Sequence, residues 1–247
     1  MTYSAQVVFP LNLERLKLLP FSNLGKIQNF LVVIDLSVSF KILERLLYQR
    51  LQPIIDRALS TSQGGFRKNW NCSDQVLGLS TFIGTGFQCN LKISAVFVDL
   101  SSAYDTVWKD GLVYELFEVV QCGKIVKLIE NMLSDRRLRV FIGEKSSRFN
   151  TLNDGLPQGF VLAPLLFNLY MSDIPETSST KFIYADDIAL VFRHYDFETI
   201  EHTLTSALDI LNIFFEKWRL CPNPSKTEVS CFHLNNHEKE YSSINHY

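Results

Sequence analysis

The chain has 247 residues, 47% of them apolar, with 24 basic and 26 acidic side chains and a formal charge of −2. That apolar share suffices for one large core or two smaller ones, which excludes a disordered chain, while the near balance of charge neither marks a polyanion binder nor excludes one. Five cysteines, Cys72, Cys89, Cys122, Cys221 and Cys231, show no CxxC or Cys/His spacing, which argues against a disulfide framework and against zinc. The N-terminus lacks signal-peptide order, and no apolar run reaches about 18 residues free of charge or proline. The expectation is an intracellular protein, nuclear or cytoplasmic, with no membrane segment.

Residues 1–35 carry mixed periodicity and read as loosely structured. From Ser37 onward Ile42, Leu43, Leu46, Leu47, Leu51 and Ile54 recur at steps of three and four, which predicts an amphipathic helix with Lys41, Arg45 and Arg50 on its other face. "ISAVFVDL" (93–100) is β-rich and ends on an aspartate. "WKDGLVYELFEVV" and "GKIVKLIENML" then predict helices, and "RLRVFIG" a strand. "GLPQG" (155–159) is a Gly/Pro loop leading into a helix, "PLLFNLYMSDI", with Pro164 suited to its first turn. After "KFIYADDIALVF" (181–192), Ile200, Leu204, Ala207, Leu208, Leu211, Phe214, Phe215 and Trp218 mark one face of a further helix. No repeat, low-complexity tract or Gly/Ser linker marks a boundary, so 1–247 reads as a single domain of mixed α and β structure.

Charge is uneven along this order. Residues 41–70 and 124–148 each carry a net +4, whereas 173–201 is more acidic. Two basic zones around an acidic one suit a polyanion drawn to a metal-loaded site, and equally suit solvated helix faces.

The apolar run "KFIYADDIALVF" holds Asp186 and Asp187 at its centre. Successive strand residues face opposite ways, so a regular strand cannot present both carboxylates to one site. A β-hairpin with the aspartates at its turn removes that conflict. Such like charges repel by roughly 4 kcal/mol at intermediate dielectric, which a divalent cation would offset; a plain polar turn is the alternative. Asp99, at the end of "AVFVD", adds a third carboxylate if its strand pairs beside the hairpin. Hard carboxylate oxygens without nearby His or Cys favour Mg²⁺ or Mn²⁺. Three acidic ligands suffice for two such ions, and phosphoryl transfer is the reaction class that follows.

Taken in order, "AVFVDLSSAYDTV", "GLPQGFVLAPLLFNLY", "FIYADDIALV" and "WRLCPNPSKTEV" resemble the palm motifs of reverse transcriptases, in particular those of non-LTR (LINE-type, jockey-like) retrotransposons. "SFKILERLLYQRLQPIID" and "SQGGFRKNWNCSDQV" are similar to that family's fingers motifs, and the likeness runs from about Phe30 to about Phe232. It implies an α+β right-hand polymerase fold, with fingers at about 1–92 and part of 110–155. The palm would be an antiparallel sheet packed on helices, at about 93–109 and 156–235, followed by a polar tail at 236–247 and no thumb. It implies two Mg²⁺ or Mn²⁺ ions on Asp99, Asp186 and Asp187, deoxynucleoside triphosphates as substrates and an RNA or DNA template-primer. Tyr104 matches the aromatic that excludes a ribose 2′-hydroxyl, Gln158 a residue touching nucleotide and template, and Gly159 a point of close backbone approach. Lys226 matches a general acid toward pyrophosphate, and Arg67 matches a triphosphate clamp. Outside the motif context these residues read as a core aromatic, a helix-entry loop and a surface lysine.

The chain departs from the family pattern at several places. Leu31 and Val32 stand where arginine and proline are expected, and "NWN" (Asn69, Trp70, Asn71) replaces Gly-Arg-Ser. Phe160 brings bulk beside the implied nucleotide pocket, and Ala163 replaces a serine helix cap, a loss worth about 1 kcal/mol. Pro222 replaces an apolar residue and removes a backbone donor. Two readings follow: an RNA-directed DNA polymerase fragment, or an impaired retroelement remnant that only binds nucleic acid. An unrelated metal-dependent phosphohydrolase is a third, which would make the motif order a coincidence.

Overall fold

The structure, a computed structural model, describes residues 3–8, 38–142 and 145–234. The expectations at Leu31 and Val32 and for the 236–247 tail lie outside the described residues. In chain order the elements are β1 (Tyr3–Val8), α1 (Val38–Ile55), α2 (Cys72–Gln88), β2 (Lys92–Val98), α3 (Lys109–Val120), α4 (Gly123–Leu133), β3 (Arg136–Ile142), β4 (Lys145–Ser146), β5 (Asn150–Leu152), α5 (Ala163–Tyr170), β6 (Thr180–Tyr184), β7 (Asp187–His194), α6 (Phe197–Lys217) and β8 (Glu228–Phe232). They form two compact units, Met1–Ala58 with Tyr104–Tyr170, and Leu59–Ala103 with Met171–Tyr247. The second unit holds residues 59–92 together with the β6–β7 hairpin.

In the first unit α3 packs against α1, α4 and α5, and α1 also against α5; Leu47, Leu51, Ile55, Leu112, Leu116, Ile129, Met132 and Phe167 are buried on these helices. β3 pairs antiparallel with β1, β4 and β5. The loose structure expected for residues 1–35 is corrected at Tyr3–Val8, a six-residue strand whose partner lies more than 120 residues away and so leaves no local signal. The face of α1 is corrected too. Phe40, Glu44, Leu47, Leu51 and Ile55 are buried, while Ile42, Leu46 and Ile54 of the expected stripe are exposed. The helix is rotated to bring Glu44 inward, where its Oε1 accepts the N–H groups of Val161 (2.9 Å) and Leu162 (3.4 Å) just ahead of α5. α5 begins at Ala163, so these bonds hold the segment ahead of the helix and are not the first-turn bonds that a serine cap at 163 would make.

In the second unit one antiparallel sheet runs in the order β6-β7-β2-β8. One face, with Ile93, Ala95, Ala189 and Val191, is covered by Leu79, Phe82, Ile83 and Phe87 of α2. The opposite-facing Val96, Val98, Ile188 and Leu190 are also buried, and α6 runs against β7 and β2. Burial on both sides explains why these strands read as near-continuous apolar runs rather than alternating ones. Sequence periodicity does not signal α2, which is rich in Gly, Ser and Thr. Two of its glycines let it approach the sheet: a Cβ at Gly78 would lie 2.9 Å from the Phe182 ring, and one at Gly86 would lie 2.9 Å from Ile93. Among the described residues no helix is long and apolar enough to cross a membrane.

Candidate active site

The hairpin forms as the sequence predicts, with a tighter turn. Tyr184 pairs with Asp187, so the loop is Ala185–Asp186 alone, and Asp187 is already the first residue of β7. Ala185 sits at φ 59°, the positive value that type II′ hairpins need at their first central position. A two-residue loop of this hand matches strand twist, which fixes where both aspartates leave the backbone.

The neighbouring strand supplies the third carboxylate. β2 pairs with β7 through Phe97↔Ala189 and, as the last pair, Val98↔Ile188, which leaves Asp99 just past β2 and Asp187 at the start of β7, close enough for the Asp99 charge to act on Asp187. The Asp187 carboxyl is accordingly raised above the ordinary aspartate range, first by desolvation and then by the charges of Asp186 and Asp99. On the other side of β2, Asn223 N–H donates to the Asp99 carbonyl (2.8 Å), Ser101 N–H donates to the Cys221 carbonyl (2.8 Å), and Leu100 and Pro222 form an isolated antiparallel bridge. Pro222 thus costs no hydrogen bond that this turn uses. The same turn places the Lys226 ammonium 3.5 Å from Asp99 Oδ2, a carboxylate oxygen that is buried and has no hydrogen-bond partner. Among the described residues no three His, Cys, Asp or Glu side chains are gathered into a ready ligand set. What the sheet sets near one another is an Asp187 carboxyl that feels the charges of Asp186 and Asp99, and an Asp99 carboxylate whose Oδ2 faces the Lys226 ammonium.

Arg67 belongs to the same unit. Its Nη1 donates to the carbonyls of Ser60 and Gln63, both at 3.2 Å, and its guanidinium lies over Trp70. At least that edge of the arginine closes its own loop.

Tyr104, Gln158, Gly159 and Phe160 belong to the other unit. The Tyr104 ring stacks on Phe167 with centroids 4.5 Å apart and planes 15° from parallel, while its carbonyl accepts the Leu156 N–H at 2.7 Å. That bond and Gly155 N–H to the Val107 carbonyl (2.8 Å) tie the loop holding Gln158 to the segment holding Tyr104. Gly155, at φ 86°, is needed for this contact, since a Cβ would fall 2.6 Å from the Asp105 carbonyl oxygen. Gly159 has φ 87°, and no protein atom lies within 4 Å of where its Cβ would be, so conformation rather than a close protein neighbour requires glycine there. Phe160 is 4% exposed and its ring packs on Phe40 with centroids 5.3 Å apart, so its bulk fills core.

Two residues that pattern reading passed over hold these parts in place, Glu44 under α5 and Gln63 behind the hairpin turn. Both bond to backbone atoms more than 100 positions away, so no spacing rule could have found them.

The family model described as Reverse transcriptase (RNA-dependent DNA polymerase) matches residues 28–245. Among curated relatives, the probable RNA-directed DNA polymerase from transposon BS of Drosophila melanogaster is 33% identical over 213 residues, covering 81% of this chain and 23% of that protein. The RNA-directed DNA polymerase from mobile element jockey of Drosophila funebris is 26% identical over 197 residues, 75% of this chain and 21% of that protein. The chain therefore spans about a quarter or less of the length of these relatives. Among solved structures, telomerase from Candida tropicalis in complex with a fragment of telomeric RNA matches 75% of this chain and 33% of its own, with a TM-score of 0.56 and 13% identity, a likeness of fold.

Proposed function

This chain belongs to the reverse transcriptase family, among those of non-LTR retrotransposons, and from that premise we propose that its four-stranded sheet carries the nucleotidyl-transfer site of an RNA-directed DNA polymerase. The observation that supports this most is the grouping of Asp187, Asp99 and Lys226 at β7, the end of β2 and the turn before β8, with Asp186 beside it.

The hard carboxylate oxygens of Asp99, Asp186 and Asp187, with the charges of the first two adding to desolvation in raising the Asp187 carboxyl, fit divalent Mg²⁺ or Mn²⁺. Asp99, Asp186 and Asp187 would hold two ions, which when bound lower the barrier by stabilising charge on the attacking and leaving oxygens. In the reaction the primer 3′-oxygen bonds to the α-phosphorus of a deoxynucleoside triphosphate, the bond from that phosphorus to the bridging oxygen breaks, the hydroxyl proton departs and pyrophosphate leaves. Lys226 supplies positive charge on the side of Asp99, and a proton for the departing pyrophosphate fits its ammonium. By the family match, the flat Tyr104 ring braced by Phe167 would be the residue that excludes a 2′-hydroxyl, and Gln158 a residue that contacts nucleotide and template. Arg67 and the two basic zones would meet triphosphate and template-primer phosphates. Such substrates place the working protein in the nucleus or cytoplasm.

The test is extension of oligo(dT) on poly(rA) by the purified chain with Mg²⁺ or Mn²⁺, beside Asp186→Asn. Extension by the wild type alone supports the assignment, and extension that survives the substitution rejects it. Absence of extension, with salt-sensitive RNA binding, would select the reading as a binding remnant.

A further inference from the structure

The turn that carries Asp186 is gripped from behind by a residue 122 positions away. Gln63 is 3% exposed, and its side-chain amide spans Ala185. Its Nε2 donates to the Ala185 carbonyl at 3.1 Å, and its Oε1 accepts the Ala185 N–H at 3.0 Å. The same oxygen accepts the Gly65 N–H at 2.8 Å. Backbone pairing leads up to this point: Ile183 N–H donates to the Ser62 carbonyl (3.1 Å), Gly64 N–H donates to the Ile183 carbonyl (2.8 Å), and Gln63 forms a parallel bridge with Ile183. Residues 62–64 thus act as a one-rung extension of the sheet beyond β6. Where a main-chain neighbour would run out, the Gln63 amide takes the place of a peptide group and gives Ala185 the bond pair of a strand partner.

The seat is built for that approach. A Cβ at Gly65 would fall 2.3 Å from the Ala185 nitrogen, so only glycine lets the segment close. Ala185 is 5% exposed and holds a left-handed φ that costs a residue with a Cβ roughly 1–2 kcal/mol. Unheld, the turn would relax. An unpaired buried amide on either side would also be costly, so the two groups hold each other.

We propose that Gln63 is a positioning residue for the carboxylates at the hairpin tip, touching no substrate itself. By fixing both polar atoms of Ala185 it sets the direction in which Asp186 leaves the turn and the register in which Asp187 enters β7. The inference rests on the hairpin being the nucleotidyl-transfer site. Seven cross-strand pairs hold β2 to β7 without Gln63, so its removal shifts the tip and leaves the sheet closed. The loss then falls on kcat, by about 10- to 100-fold for a displacement of about 1 Å, and spares the KM for deoxynucleotide.

Amide hydrogen exchange on the ¹⁵N-labelled chain, read beside primer extension, tests this. In the wild type the Ala185 amide exchanges as slowly as that of Ile183. In Gln63→Leu, Ala185 exchange accelerates about tenfold or more, Ile183 keeps its protection through Ser62, and kcat falls with KM unchanged. Gln63→Glu keeps the acceptor and loses the donor, and lies between the two. Fast Ala185 exchange in the wild type, a measurement that needs no variant to fold, overturns the proposal. So does Ala185 exchange that Gln63→Leu leaves unchanged. If Ala185 responds as stated while the wild type extends no primer, the grip on the turn stands and the polymerase reading falls.

Discussion

Glu44→Gln should flatten the pH dependence of stability. The Glu44 side chain is fully buried on α1, and its carboxyl is pushed up from 4.5 to about 7, first by desolvation and against the pull of the Leu162 and Val161 amides and the Lys41 charge. A carboxyl that holds its proton more tightly in the folded state contributes stability that is complete below pH 4.5 and is lost as pH rises through 7. At 1.36 kcal/mol per pH unit the loss is about 3 kcal/mol, the cost of ionising a buried group whose Oε2 has no hydrogen-bond partner. Glutamine keeps the acceptor for Val161 and Leu162 and has nothing to ionise. The stability of Glu44→Gln relative to wild type should therefore rise by about 3 kcal/mol between pH 4.5 and pH 8, or about 6–12 °C in Tm for a chain of this size. Thermal melts of both proteins across that range provide the check, and the difference between them cancels every other titrating group. Parallel curves would show that the carboxylate is stabilised in its ionised form and that its burial is misread.

Two further outcomes follow from the geometry. Phe160→Ala should lower stability by about 3–5 kcal/mol in denaturant melts, because the ring fills core against Phe40; a change under 1 kcal/mol would show that the ring does not fill core. In the absence of divalent ions, Asp187→Asn should melt higher than wild type at pH 7, since it removes a charge opposed by Asp186, Asp99 and desolvation. A lower melt would mean that Asp187 is not opposed by those charges in the free protein.

What the sequence shows and what it hides divide along a physical line. The β6–β7 hairpin is legible because a pair of carboxylates interrupts two β-forming apolar segments, and α6 because Ile200, Leu204, Ala207, Leu211 and Phe214 keep one stripe at helical spacing. The convergence of Asp99 with the hairpin depended on strand order, which local pattern cannot supply, and the antiparallel β2–β7 register provided it. α2 escaped notice because Gly78, Gly84, Gly86, Ser80, Thr81 and Thr85 are weak helix formers. The signal available was its start, where Asn71 and Asp74 form a reciprocal capping box. The face of α1 was misread because Glu44, a charged residue, occupies a core position that an apolar template assigns to a neighbour. Gln63 and Glu44 both act on backbone atoms of distant segments, and a bond to backbone leaves no complementary residue type to find.

Titration with Mn²⁺, read by calorimetry on the wild type and on Asp99→Asn, Asp186→Asn and Asp187→Asn, tests most directly whether these carboxylates form the metal-holding centre. The wild type should bind two ions per chain, and each single substitution should remove at least one while leaving the fold intact by circular dichroism. Two ions bound with unchanged affinity in all three variants would contradict the account, since the cations would then sit elsewhere and the grouping of Asp187, Asp99 and Lys226 would be only a feature of the sheet.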